Sequence, residues 1–508
     1  MHKMKFRPKA ITALLVSAAL LFSGAQAQGD GELRVRARSG VDIDTMDPAY
    51  YLGNEEFNVD QAIYSKLVRF LPNSAEVELD AAEHFELSED GLSAEFRLRE
   101  GIQFHHGYGE MTAEDVKFSF ERMADTDNNS PYASDWSTLD SVEVTGRYEG
   151  ILHFSAPYAP LMSSTLPWTP GSILSQAAFE DRGDRISLNP VGSGPYYWSE
   201  WRPNQELVLE RFDDYYGEMP DFSRITIVPI IDPQIAEFSF DAGELDVTEV
   251  SLDSIPRYEA DPTVSLEILP TLRYHFLGFN LEAEPFDDIR VREAIRLAVD
   301  VDELITGAYS GVPERANAMI PQGVLGHWED APEYQVDLER ARELLAEAGF
   351  ADGLSTSITT DDVPQHMQSA AIVQQQLARV GIDAGINIVP SLHEAASAGT
   401  PGMHYASFSA VLDPGYWFEW FTCDQRGDWN YWQWCNAEFD ELKEAASQTT
   451  DPDERNAMYI RMQELIDEDI TAVWTTNGSS VYAYRTGEIE PAFLAMYAQY
   501  VYWQDLRE

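Results

Sequence analysis

Nine aromatic side chains fall within the 23 residues DPGYWFEWFTCDQRGDWNYWQWC, positions 413–435 of a 508-residue chain. The same stretch holds five of the twelve tryptophans and both cysteines. Ring faces of this kind stack on apolar parts of a small molecule, or hold a cation by roughly 0.5–2 kcal/mol each. Tyr416, Trp417 and Trp420 are candidates for such faces. Trp417 and Trp420 lie three apart, as on one side of a helical turn, and for this pair binding wall and core are both open. Phe418 and Phe421 carry no polar handle and are assigned to the core. Trp429, Tyr431, Trp432 and Trp434 read as packing around the loop, with Trp432 also able to reach a ligand.

The composition limits the partners. Length alone suggests two or three domains, and 44% apolar content places the chain among globular proteins. A net charge of −53 repels phosphate, which excludes nucleic acid and anionic membrane surfaces. Most of that charge reads as a solvated acidic surface, and a minor share can favour cationic ligands.

Residues 1–27 have the form of a secretory signal. A basic start (Lys3, Lys5, Arg7, Lys9) precedes an apolar run and the small residues Ala25 and Ala27. The mature chain is expected to begin near Gln28, as a soluble product without a lipid anchor, most simply in a Gram-negative periplasm. In that oxidising compartment Cys423 and Cys435 are expected to form a disulfide, removing roughly 3 kcal/mol of unfolded-state entropy. The segment contains no histidine to complete a metal site.

Helices and strands alternate over most of the chain, which predicts α/β lobes with a cleft between them. Helices are expected in DDIRVREAIRLAVDVDELITGAYSG, in VDLERARELLAEAGF with Asp337 as cap, in HMQSAAIVQQQLARVG, in DPDERNAMYIRMQELIDED with Asp451 as cap, and in TAEDVKFSFERM capped by Thr112. SAEFRLRE, QELVLERF, RITIVPII and AGINIVP read as strands, and LDSVEVTGRYEGILHFS as a strand pair.

Four of these stretches, in order, carry a resemblance. EFRLREGIQFHHGYGEMTAEDVKFSFERM, NPVGSGPYYWSEW, GFNLEAEPFDDIRVREAIRLAVDVDELI and YQVDLERARELLAEAGF are similar to the signatures of the family 5 extracellular solute-binding proteins, the peptide- and nickel-type receptors of ABC transporters. His106, where the family usually has Asp, and the longer turn HHGYGE suggest a distinct subgroup.

The resemblance implies a periplasmic-binding-protein type II-like α/β fold, with two main lobes, a cleft and a third inserted lobe. Lobe I would comprise 28–62, 190–273 and 484–508, the inserted lobe 63–189, and lobe II 274–483, with LRYHFLGFN as one crossing. The implied activity is capture of a small peptide-like or amine-bearing solute by closure, and delivery to an inner-membrane ABC permease. The protein would act as a monomer, without catalysis, cofactor or bound metal. In the family an Asp-Pro stretch faces the cleft at this point of lobe II. Asp413 would therefore hold a ligand ammonium group, with Tyr416, Trp417, Trp420 and Trp432 beside it. A second wall would come from Tyr50 and Tyr51 in DPAYYLGNEEF, which can equally be a packed turn.

TTDDVPQH, 359–366, has Asp361 and Asp362 where dipeptide receptors carry an arginine, which points to a cationic or neutral ligand. A nickel-type chelate receptor using His404 and an oligosaccharide receptor are the alternatives. A secreted hydrolase is disfavoured: VGSGP lacks nucleophile-elbow spacing, no His-Glu-x-x-His occurs, and FHHG is placed at a structural turn.

Overall fold

The computed structural model describes residues 31–37, 43–51, 53–72, 74, 76–398, 402–493, 501, 503 and 505–507. The signal segment and the expected mature start at Gln28 lie outside the described residues.

Two large sheets organise the chain. The first has seven strands, in the order Val264–Pro270, Ser479–Arg485, Val247–Glu249, Glu32–Ala37, Arg224–Pro229, Glu206–Arg211 and Tyr196–Arg202. The second has five: Ile382–Ile388, Leu354–Thr360, Met403–Ser409, Arg273–Phe279 and Ala472–Thr476. A separate four-stranded antiparallel sheet is built from Ala82–Leu87, Ser93–Leu98, Glu149–Phe154 and Leu139–Val144. The chain is thus a mixed α/β protein.

It passes between the large sheets at 271–272 and at 477–478. The return comes earlier than the expected boundary at 484, because Ser479–Arg485 pairs along its whole length with Val264–Pro270. Thr271 Oγ1 donates to the Asn477 carbonyl at 2.7 Å, tying the two crossings together. Gly478, with φ +74°, sits where a Cβ would lie 3.1 Å from His275 Nε2.

Local sequence signals set the helices. Thr112 and Asp115 form a capping box at Ala113–Ala124. Asp337 accepts from the Arg340 amide at the start of Leu338–Glu347, and Asp451 accepts from the Asp453 and Glu454 amides at Pro452–Glu468. DDIRVREAIRLAVDVDELITGAYSG forms two helices, Ile289–Ala298 and Val301–Ala308. Val299 turns extended, and Asp300 caps the second helix through the Glu303 amide.

Two of the motifs that carried the resemblance grip each other. A Cβ on Gly192 would lie 1.9 Å from the Ile63 carbonyl oxygen, so only glycine fits there. The His105 amide donates to the Gly192 carbonyl at 2.8 Å, and His105 Nε2 bonds the Gly194 carbonyl at 2.9 Å. Phe104 and His105 are therefore the buried half of the FHHG turn and hold the glycine loop in place, while His106 and Gly107 are exposed.

Candidate functional site

A cavity of about 360 Å³ opens between the two large sheets, with residues of both crossings in its wall. That volume is in the range of small-molecule sites. Arg36, Glu249 and Ser480 line it from the seven-stranded sheet; Arg273, His366 and Ser409 line it from the other side. A second cavity of about 630 Å³ meets the 477–479 crossing and is lined by Ile268, Arg315 and Trp328. We assign the candidate site to the first, because Ser409 and Ala410 in its wall lead directly into the aromatic segment.

Strand alternation supplies one wall of the cavity. Arg273 and His275 are two apart on Arg273–Phe279 and both line the cavity, while Tyr274 between them packs into the core. His275 Nδ1 is 3.0 Å from the Tyr309 hydroxyl, which is 3.2 Å from that of Tyr405. Burial holds the His275 ring well below its ordinary pKa, and the neighbouring His366 and Arg273 add to this. His366 is only 3% exposed, and its Nδ1 lies 2.7 Å from the Asp361 carboxylate. Burial works to raise the Asp361 pKa, but the hydrogen bond and charge of His366 keep it below the usual carboxylate range.

The aromatic segment divides by depth. Trp417 is fully buried, stacks on Tyr274 with ring centroids 5.3 Å apart, and donates Nε1–H to the Val411 carbonyl at 2.7 Å. Trp432 is fully buried against Phe421 at 3.9 Å. Phe418 and Phe421 are also enclosed. Tyr416 is 44% exposed and meets the half-buried Trp420 edge to face, at 5.5 Å. Trp420 in turn lies 5.2 Å from the half-buried Trp429. Tyr416, Trp420 and Trp429 are therefore the rings with free surface.

Asp413 opens the segment and is buried. It caps the short helix Pro414–Trp417 through the Gly415 amide, and Arg455 Nη2 lies 3.2 and 3.0 Å from its two oxygens. Ser163 Oγ, from the four-stranded-sheet region, donates to Asp413 Oδ2 at 2.6 Å. With its charge met by Arg455 and both oxygens hydrogen-bonded, Asp413 is placed as a structural carboxylate; an ammonium ligand would have to displace these contacts.

At the second expected wall, Tyr51 is 3% exposed and donates its hydroxyl to Asp60. Tyr50 is 41% exposed, with the Arg122 guanidinium 5.3 Å from its ring centroid. Arg122 also makes a two-pronged pair with Asp47 at 2.8 and 2.6 Å, which fixes DPAYY as a turn. His404 is fully enclosed among Phe276, Tyr431 and Trp432 and does not line the cavity.

Cys423 and Cys435 are joined by a disulfide. Asn430 braces the enclosed loop, donating Nδ2–H to the Thr422 and Trp434 carbonyls at 2.9 and 2.8 Å. Replacing both cysteines by serine is expected to lower unfolding free energy by about 3 kcal/mol. Denaturant titration under non-reducing conditions checks this; unchanged stability would mean that packing alone holds the loop.

Sequence reading missed Arg273, His275 and His366. The first two were inside the quoted crossing LRYHFLGFN, where their two-residue spacing was the available signal. His366 was inside TTDDVPQH, five residues beyond the carboxylate that orients it.

The description "Bacterial extracellular solute-binding proteins, family 5 Middle" matches residues 76–429. The dipeptide-binding protein of Escherichia coli strain K12 is 28% identical over 447 residues, covering 81% of this chain and 83% of the relative. The periplasmic binding protein DppA of Helicobacter pylori, solved with the peptide STSA, superposes with TM-score 0.76 at 25% identity, covering 94% of this chain and 98% of that one. MoaA of A. tumefaciens R10, solved with mannopinic acid, gives TM-score 0.74 at 25% identity, covering 94% and 99%.

Proposed function

The chain belongs to the bacterial extracellular solute-binding proteins of family 5, and from that premise we propose that it captures a small solute in the cavity between its two large sheets and delivers it to an ABC importer. The observation that carries this reading is the cavity's position. It lies where the two sheets are joined by the crossings at 271–272 and 477–478, so a rotation about those segments changes its width without unfolding either sheet.

The relatives' named ligands, a dipeptide class, the peptide STSA and mannopinic acid, support a solute of comparable size. Tyr416 and Trp420 keep free surface and are the proposed aromatic wall, outside the cavity's own lining, while Trp417, Trp432 and Asp413 are buried. The terminal signal-like segment and the disulfide support export to an oxidising periplasm. The ABC permease follows from the family, and one lobe pair per cleft suits a monomer.

The test is a thermal-shift panel of peptides, amines, oligosaccharides and metal chelates, followed by small-angle scattering of the responding pairs. A captured solute raises the melting temperature by mass action and shrinks the radius of gyration. A ligand that binds without compacting the molecule would overturn capture by closure.

A further inference from the structure

We propose that the larger cavity, of about 630 Å³, is a second small-molecule site, separate from the candidate site. It takes an organic ammonium compound with an apolar body, and its occupant opposes closure of the two large sheets.

Position comes first. Gly478 and Ser479 line both cavities and are the only lining residues the two have in common, so the return crossing is their shared wall. Ile268 and Pro270 at the end of Val264–Pro270 face the second cavity, whereas Thr271 and Leu272 of the outgoing crossing face the first. The far wall of the second cavity is the segment 312–331, which is tied to the five-stranded sheet. The Ala316 amide donates to the Thr475 carbonyl at 3.0 Å, and Thr476 Oγ1 donates to the Glu314 carbonyl at 2.8 Å. One wall therefore moves with the seven-stranded sheet and the other with the five-stranded sheet. Cavities on either side of one crossing change width in opposite senses when the sheets rotate about it. A guest that touches both walls of the second cavity works against narrowing of the first.

The lining selects the guest. Ile268, 47% exposed, Val312 and Ile320 offer apolar surface, and Trp328 lines the cavity half-buried, with no other ring against it among the described residues. Arg315 is already engaged: Nη2 donates to the Tyr334 carbonyl at 2.8 Å, and Nη1 lies 3.8 Å from carboxylates of Asp302 and Glu333. Glu314 and Glu329 are exposed and make no ion pair among the described residues. Two unmatched carboxylates beside an indole suit an organic cation, which gains charge contact from the first and cation–π attraction from the second. The chain's net charge of −53 also draws such a cation in.

The turn that carries Trp328 is fixed before any guest arrives. The Gly326 amide donates to Asn456 Oδ1 at 2.8 Å, and its carbonyl accepts from Gln463 Nε2 at 2.7 Å. Gly326 has φ +86°, and a Cβ there would lie 2.7 Å from that of Tyr459. His327 Nδ1 lies 2.9 Å from the Ile320 carbonyl. A wall held this way loses little freedom on binding.

Tryptamine and tryptophol, which share a ring system and differ in an ammonium against a hydroxyl group, test the site on the full mature chain. By calorimetry we expect tryptamine to bind and tryptophol to bind at least about tenfold more weakly. Trp328→Ala should weaken tryptamine about tenfold, and the double variant Glu314→Gln/Glu329→Gln should do the same. Both glutamates are exposed, so the double variant is expected to keep the parent's unliganded melting temperature, and it decides the matter if Trp328→Ala is unstable. Spin labels on Gln234→Cys and Asp362→Cys, exposed positions beside the lining residues Pro233 and Val363, report the width of the candidate site. The native cysteines are bonded to each other and take no label. Tryptamine should shift the label separation to longer values.

Absence of tryptamine binding, equal binding of tryptophol, or full tryptamine affinity in the double glutamate variant would overturn the proposal. So would a label separation that shortens or stays unchanged in saturating tryptamine. Capture by closure is tested separately by the solute panel and stands whichever way these measurements fall.

Discussion

Replacing Arg455 with methionine is expected to cost about 3–5 kcal/mol of stability, because it leaves Asp413 buried with no counter-charge. The two side chains are 7% and 3% exposed and meet at 3.0 Å. Arg455 also donates to the Tyr459 hydroxyl at 2.7 Å and, through Nε, to the Ala446 carbonyl at 3.0 Å. Ser163 and the Gly415 amide would remain as donors to Asp413, but neither carries charge. Denaturant unfolding of Arg455→Met measures the loss. The double variant Asp413→Leu/Arg455→Met should recover much of it, since removing both members of a buried pair is far less costly than removing one. A single-variant loss below about 1 kcal/mol would show that Asp413 regains water, and would return it to consideration as a ligand anchor.

Acid is expected to destabilise the fold through two buried histidines. Burial lowers His105 and His404 from the ordinary imidazole value to about 3 in each case. His105 is held neutral by its neighbours: Nε2 bonds the Gly194 carbonyl, and Nδ1 accepts from the Gly192 amide at 3.4 Å. His404 has no partner for either nitrogen among the described residues. The unfolded chain takes up these protons as the pH falls through about 6.5, whereas the folded chain resists until about 3. Between those limits the unfolded state binds more protons. The stability present above pH 6.5 therefore drains as the pH falls, by up to roughly 5 kcal/mol per ring. His404→Leu, which breaks none of the described hydrogen bonds, should remove about one proton from the pH slope of unfolding free energy. Identical slopes for parent and variant would show that His404 protonates freely in the folded state.

The two expectations show how far sequence reading reached. Caps were legible because each is a local contact: Asp337 and Asp451 accept from amides two or three residues on, and the Thr112 amide donates to the Asp115 carboxylate. Strands were legible through their alternation, which also carried Arg273 and His275 to one face. The disulfide was legible from the implied compartment. The division of the aromatic segment was not. Trp417 and Trp420 are three apart, yet one is enclosed by Tyr274 from a strand more than a hundred residues upstream and the other keeps free surface. Helical spacing gives a shared face and cannot say what covers it. The surroundings of Asp413 were not legible for the same reason, since its counter-charge lies 42 residues on and its hydroxyl donor 250 residues back.

Sequence by itself determined the family, the order of elements, the acidic surface and the cysteine pairing, because those depend on composition, short-range bonding and motif order. Tertiary structure decided where the charges meet. It set Arg455 against Asp413, and it brought Arg36 and Arg273 from separate sheets to one cavity. Among the described residues it also left His366 Nε2 without a hydrogen-bond partner. Electrostatic character at a site depends on through-space distance and burial, and neither is written in the spacing of residues along a chain.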